Sequence, residues 1–281
     1  MSSLDWPTLI RQPIDFADGP PAEAWFATLA DALLNRTTFR VAGLPHRLLE
    51  VEVYYHSLAH PDPFAHKEPV QLEGGRWYFH RTRGEYRGGS FKGIDLAFGD
   101  GVAYGGILFR GLEKPDGTVV DGPSLLVDHL LKATGHATVA QLDHAIGTKV
   151  AWDAGQPLVL AAKAPDDRPV LRSARVGLTW KRRKPDDPAA KYVLRRYRYL
   201  SEPSRTAKGK PHMVLAMLLS GETAEAVSAR TGCPLKTVRR YAADLETGKL
   251  ESDLAPYYGK DWSTADLCRL HGLLSRNNQH G

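Results

Sequence analysis

Apolar residues recur at helical spacing at Trp25, Leu29, Leu33 and Leu34, which predicts a helix over residues 21–36. The period then changes. Residues 39–53 read as strand, and over residues 48–54 the alternation is strict. Leu49, Val51 and Val53 share one face, and Glu50, Glu52 and Tyr54 share the other. Further strands are predicted at 76–80, 93–98, 105–110 and 170–180, and helices at 124–132 and 138–145. Glycine and proline mark loops around 61–69 and 83–93. Strands and helices do not alternate regularly, so a doubly wound sheet is not expected. The pattern predicts an α+β mixed domain without internal repeats.

The character of the chain changes after residue 200. Residues 201–211 are small, polar and basic, with two prolines, and read as a linker. With the linker proper at 204–211, it separates a predicted domain at 1–203 from a small all-α one at 212–281. Three helices are predicted there. The first covers 212–219, the second opens at Glu222 or Thr223 and runs to Arg230, and the third runs from about Pro234 to Glu246 and stops at Gly248. Gly232 breaks the second from the third. This stretch resembles a helix-turn-helix. Leu235, Val238 and Leu245 would face inward, and Lys236, Thr237, Arg239, Arg240 and Tyr241 outward. Such a helix fits the DNA major groove, where Lys and Arg hold phosphates more often than they read bases. The alternative is a helical bundle that packs on the first domain. Residues 249–281 predict a further helix, with a packing role for Leu267, Leu270, Leu273 and Leu274.

Composition narrows the classes. The chain has 281 residues, 42% of them hydrophobic, enough for a sizeable core. No run of about 18 apolar residues occurs, so no membrane helix is expected, and the start of the chain does not read as a secretory signal. Two distant cysteines, Cys233 and Cys268, suit neither a disulfide framework nor a cysteine zinc cluster. His56, His60 and His80 lack zinc-site spacing, so no metal is expected. A reduced cytoplasm is the expected setting. The formal charge is +5, yet residues 175–210 alone hold seven arginines and five lysines against three acids. That concentration suggests a polyanion partner.

Two acids side by side on one strand face repel each other and suit water better than a core. In a cleft, one of them can serve in proton transfer. The residues that follow place the pair in a series. Glu50, Glu52 and Tyr54 form E-x-E-x-Y, and Asp62, Pro63 and His66 form D-P-x-x-H. Leu108, Arg110 and Glu113 form L-x-R-x-x-E, Gly122 to Leu126 contain G-P-x-x-L, and Ala174 to Gly177 read A-R-V-G. This ordered series, over about residues 10–203, resembles the alkyladenine (3-methyladenine) DNA glycosylase family. The resemblance implies a mixed domain around a curved antiparallel sheet that binds the minor groove of double-stranded DNA and flips a nucleotide into a pocket. It implies that Glu52 activates the attacking water and Arg110 helps to hold it. Tyr54 and His66 would stack on the base, Ser124 would open a helix, and Arg175 would lie near the DNA backbone. No cofactor is implied, a monomer is expected, and no lysine stands where a Schiff-base step would need one.

The segment 81–96 departs from the family, whose corresponding hairpin is rich in tyrosines. Only Tyr86 or Arg87 could wedge into the duplex here. Asp95 stands for the family's pocket asparagine, with Ser90 nearby. Small residues at Gly88, Gly89, Ser90 and Gly93 predict a roomier pocket, and an ionised Asp95 accepts hydrogen bonds only, which suits an exocyclic amine. The expected substrate is therefore either an alkylated purine, as in repair, or a bulky modified base, such as a hypermodified cytosine of phage DNA, as in defence. A non-catalytic regulator that binds DNA through its helix-turn-helix is the competing reading.

Overall fold

A computed structural model describes residues 4–185 and 187–277. Asp186 and residues 278–281, which figure in the basic segment and the second predicted domain, lie outside the described residues. The chain divides into two compact units, residues 1–170 with 199–201, and residues 171–198 with 202–281. The second unit therefore begins about 40 residues earlier than the predicted start at 212.

In the first unit, α1 (Trp6–Leu9) precedes α2 (Pro20–Asn35). Pro20 and Pro21 open α2 where their missing amide hydrogens cost nothing. Strand β1 (Thr37–Val41) turns through Ala42 and Gly43, both at positive φ, into β2 (Leu44–His56). That two-residue turn matches the twist of the paired strands. Then come β3 (Trp77–Phe79), the short hairpin β4 (Arg81–Thr82) and β5 (Glu85–Tyr86), β6 (Ile94–Ala97), β7 (Tyr104–Glu113) and β8 (Val119–Asp121). Helices α3 (Pro123–Thr134) and α4 (Val139–Ile146) and strand β9 (Leu158–Ala162) complete the series. The sheet runs β2-β7-β6-β3, with β1 joining β2 to β9 and β8 added to β7. These pairings are antiparallel.

Register gives this sheet two unlike faces. Val51 and Val53 on β2, Phe109 and Ile107 on β7, Leu96 on β6 and Trp77 on β3 share one face, all buried. Phe39 from β1 meets Phe109 and Trp77 edge-on or tilted, at 5.4 and 5.6 Å between ring centroids. Trp25 of α2 meets Tyr55 and Phe98 at 5.3 Å. Each such side chain contributes about 1.5–3 kcal/mol by leaving water. The opposite face carries polar groups and is described below.

The second unit opens with β10 (Leu171–Ser173), well short of the strand expected to Trp180, followed by β11 (Arg198–Leu200), which straddles the division. Four helices follow, α5 (Lys210–Leu219), α6 (Ala224–Thr231), α7 (Leu235–Leu250) and α8 (Thr264–Asn277). Thr223 caps α6 by accepting from Ala226 N at 3.2 Å, and Gly232 ends it in the left-handed conformation. Val214, Leu215, Met217, Val227, Val238, Tyr241, Leu245 and both cysteines form one apolar cluster. Burial raises the Cys268 thiol to about 12, so it packs as a neutral group.

Residues 204–211 are not a free linker. The buried Arg198 donates to the Lys208 and Gly209 carbonyls at 2.8 and 3.1 Å, and Thr206 is buried. The third helix does not stop at Gly248. It continues to Leu250, because Gly248 is a contact point where any Cβ would collide with the Arg269 backbone of α8. Among the described residues no helix is long and apolar enough to cross a membrane.

Candidate functional site

The polar face of the first sheet is built in register. On β7, Leu108 lies opposite Glu52 on β2 and opposite Asp95 on β6, and Asp95 lies opposite Tyr78 on β3. Directly opposed residues point the same way, so Glu52, Leu108, Asp95 and Tyr78 form one row across four strands. Two residues along, Tyr54 faces Gly106, and Arg110 falls on the same side. Glu50 shares this side by the alternation of β2, with register shifts on either side of it.

Glu52 and Glu50 are completely buried and Arg110 is nearly so. Arg110 Nε donates to Glu50 Oε1 at 2.6 Å and lies 3.3 Å from Glu52 Oε1, while its Nη1 lies 3.5 Å from Glu52 Oε2. The Tyr54 hydroxyl donates to Glu52 Oε2 at 2.8 Å, and its ring is half-buried. Burial works against the charge on Arg110, but the Glu52 and Glu50 carboxylates outweigh it and hold the guanidinium protonated more firmly than usual. The guanidinium and the hydroxyl thus fix one carboxylate in one orientation.

Next in the row, Asp95 Oδ1 accepts from His80 Nε2 at 2.7 Å and Oδ2 from Gln71 Nε2 at 3.3 Å. Each oxygen thus carries one hydrogen bond that orients the carboxylate within the row. The His80 ring then stands 4.4 Å from that of His66, near edge-on. Burial first, and then the neighbouring His80, lowers His66 to a pKa of about 4, so it is neutral at pH 7. The Tyr78 hydroxyl accepts from Arg81 N at 3.3 Å and stands within hydrogen-bond distance of His66 Nδ1, at 3.1 Å.

Segment 81–96 differs from expectation. The space above Gly93 is filled by the His80 ring, which a Cβ there would strike, and Gly88 and Gly89 face open surroundings. At Gly93 the small residue therefore adds no room. Ser90 is exposed in a turn whose Gly89 carbonyl accepts from Ser124 Oγ at 2.7 Å, and it lies outside the buried row. The Tyr86 hydroxyl donates to Asp143 Oδ2 at 2.6 Å, and the Arg81 guanidinium lies 4.5 Å over its ring. Arg87 Nε donates to Thr82 Oγ1 at 2.9 Å. Both residues expected as wedges are thus held by neighbours, whereas Phe91 is 73% exposed.

Arg175 corrects another expectation. It is fully buried, its Nη2 donates to the Tyr192 carbonyl at 3.1 Å, and it lies over the Tyr197 ring. It supports the second unit from within and has no surface to offer a DNA backbone. In the same unit, Lys236, Arg239 and Arg240 are exposed along one side of α7, and Arg239 pairs with Glu225 of α6 at 2.9 Å. His80, Gln71 and Tyr78 are site residues that sequence reasoning left as loop or core. The alternation of Tyr78 and His80 on one strand face was the available signal. Among the described residues no group of three or more His, Cys, Asp or Glu could hold a metal ion.

No protein-family model matches the chain. An uncharacterized protein of Acanthamoeba polyphaga mimivirus is 34% identical over 125 residues, which takes in 39% of this chain and 58% of the viral protein. The chain thus spans less than two thirds of that relative's length, and the relative's description names no activity.

Proposed function

We propose that the protein is a monofunctional DNA glycosylase that flips a modified base out of the duplex and hydrolyses its N-glycosidic bond with Glu52. The reading rests chiefly on one observation, a buried carboxylate oriented by Arg110 and Tyr54 at the head of a row that ends in hydrogen-bonding side chains. Cleavage of an N-glycosidic bond passes through an oxocarbenium-like state. A carboxylate beside the sugar carbon stabilises that charge and takes the proton of the attacking water. Arg110 pairs with Glu52 and Glu50 at once, so its guanidinium is shared between the two carboxylates. The base would lie over Leu108 beside Tyr54, since the space above Gly106 is taken by the Asp95 and Gln71 side chains. Its far edge would meet the neutral His66 ring. Extruding a base costs a few kcal/mol, and stacking on Tyr54 and His66 offsets part of it, at about 1–3 kcal/mol per base. The products are a free base and an abasic site, and no cofactor takes part.

Double-stranded DNA is the proposed partner of both units, which would set the work of a monomer at the nucleoid in the cytoplasm. Helices α6 and α7 with the turn at 232–234 would serve as a helix-turn-helix, and Lys236, Arg239 and Arg240, exposed on α7, would meet the major groove or its phosphates. The substrate is an alkylated purine or a hypermodified cytosine of phage DNA, which divides repair from defence. A DNA-binding regulator is the second reading, favoured by the complete burial of Glu52 in the free protein.

Glu52→Gln separates the two. It keeps the size of the side chain and both neighbours but cannot take a proton. Free base released from a panel of methylated and phage DNAs, measured by mass spectrometry, should vanish in the variant while DNA affinity stays within about tenfold. Base release undiminished by the change would refute the mechanism. Absence of release from every DNA by the unaltered protein would favour the regulator.

A further inference from the structure

The polar row does not end at Asp95. Tyr78 on β3 is its last member, and between β3 and α4 lies a cavity of about 410 Å³ lined by Arg76, Tyr78, Arg81, Tyr86, Asp143 and His144. That volume falls within the range of small-molecule pockets, about 300–1,000 Å³. Asp143 Oδ2 accepts from Arg81 Nη2 at 2.8 Å and from the Tyr86 hydroxyl at 2.6 Å. Arg76 pairs with Glu73 at 2.6 Å and donates to the Gly147 carbonyl at 3.1 Å.

The chemistry of the lining selects the class of ligand. Each arginine already faces an acid, so the walls offer donors and acceptors with little net charge. That suits neutral hydroxyls better than phosphate. The Tyr86 ring adds an apolar surface beside them. Position selects where such a ligand would come from. Strands lie about 4.7–4.9 Å apart, so Tyr78 is roughly 14 Å from Glu52 along the row. A bare base with its sugar at Glu52 ends near Asp95. Only a base with an appendage reaches Tyr78, whose hydroxyl already bonds the His66 that faces the base.

We propose that this cavity receives an uncharged, polyhydroxylated appendage of hexose type carried by the flipped base. The assignment rests on the glycosylase reading for the position of the base, and on the cavity itself for the chemistry of the appendage.

The test uses the full chain carrying Glu52→Gln, so that binding is read without turnover. Dissociation constants are measured for three duplexes that contain one cytosine, one 5-hydroxymethylcytosine, or one glucosylated 5-hydroxymethylcytosine. The glucosylated duplex should bind at least about tenfold more tightly than the hydroxymethylated one. Adding Asp143→Asn should reduce that preference to below about threefold, with binding to the hydroxymethylated duplex unchanged. Ala140→Trp, at the exposed rim of the cavity, should do the same by filling it without touching the polar network, which guards against a folding defect in the first variant. Equal affinity for the three duplexes, or a preference that both variants retain, would overturn the assignment. Base release by the unaltered protein is scored separately. Release of methylated bases with no glucose preference overturns the cavity assignment and leaves the glycosylase. A preference lost in both variants, without release from any duplex, supports the cavity and overturns the glycosylase.

Discussion

Glu50 and Glu52 place two like charges in a space closed to solvent, and a single guanidinium holds both. Such a group is expensive in isolation, because removing carboxylates from water costs several kcal/mol each. It persists because Arg110 pairs with both acids and Tyr54 donates a further hydrogen bond to Glu52. Arg110→Met, of similar length but without charge, leaves the acids facing each other. The loss of stability should be about 3–5 kcal/mol, the cost of breaking a buried ion pair from one side. Urea unfolding measures it. A loss below about 1 kcal/mol would show that the carboxylates shed their charge by taking up protons instead.

Strands β2, β7, β6 and β3 turn separate pieces of sequence into a site, since each contributes one residue of the row. Helices α7 and α8 show a similar dependence on close approach. Gly248 sits in the interior of α7, where helix propensity alone favours alanine by about 1 kcal/mol. The α8 backbone lies where the new Cβ would be placed, and a backbone cannot rotate aside as a side chain can. The clash should win, as overpacking typically costs about 1–3 kcal/mol. Gly248→Ala is therefore expected to lower the thermal midpoint, and a rise would mean that the two helices separate without cost.

At the scale of the whole molecule, the net charge of +5 conceals where cations can act. The basic segment at 175–210 spends part of its charge inside the fold, with Arg175 and Arg198 fully buried. Lys236, Arg239 and Arg240 are exposed along α7. If these three neutralise phosphates, replacing all of them with alanine should flatten the slope of log affinity against log salt by about 2–3, at roughly 0.9 per phosphate contact. Fluorescence anisotropy on a duplex at several salt concentrations measures it. An unchanged slope would place α7 off the DNA.

Local pattern alone determined the helix α2, the alternation on β2, helices α3 and α4 and the three helices around Gly232, because hydrophobic period and capping residues act over a few neighbours. It also placed Glu52, Tyr54, Arg110 and His66 in one expected site, through short motifs whose order survives in the chain. Strand β9 escaped notice, since its short apolar run becomes a strand only by pairing with β1. The third helix was expected to stop at Gly248 because a glycine reads as a helix end until a second helix is packed against it. Residues 204–211 read as a linker because no local signal reveals that Arg198 binds their carbonyls. For the same reason the sequence left His80 and Gln71 out, and took Arg175 for a surface cation. Burial and partner choice are set by residues far apart in the chain, so only the packed structure could decide which charges face a ligand and which hold the walls.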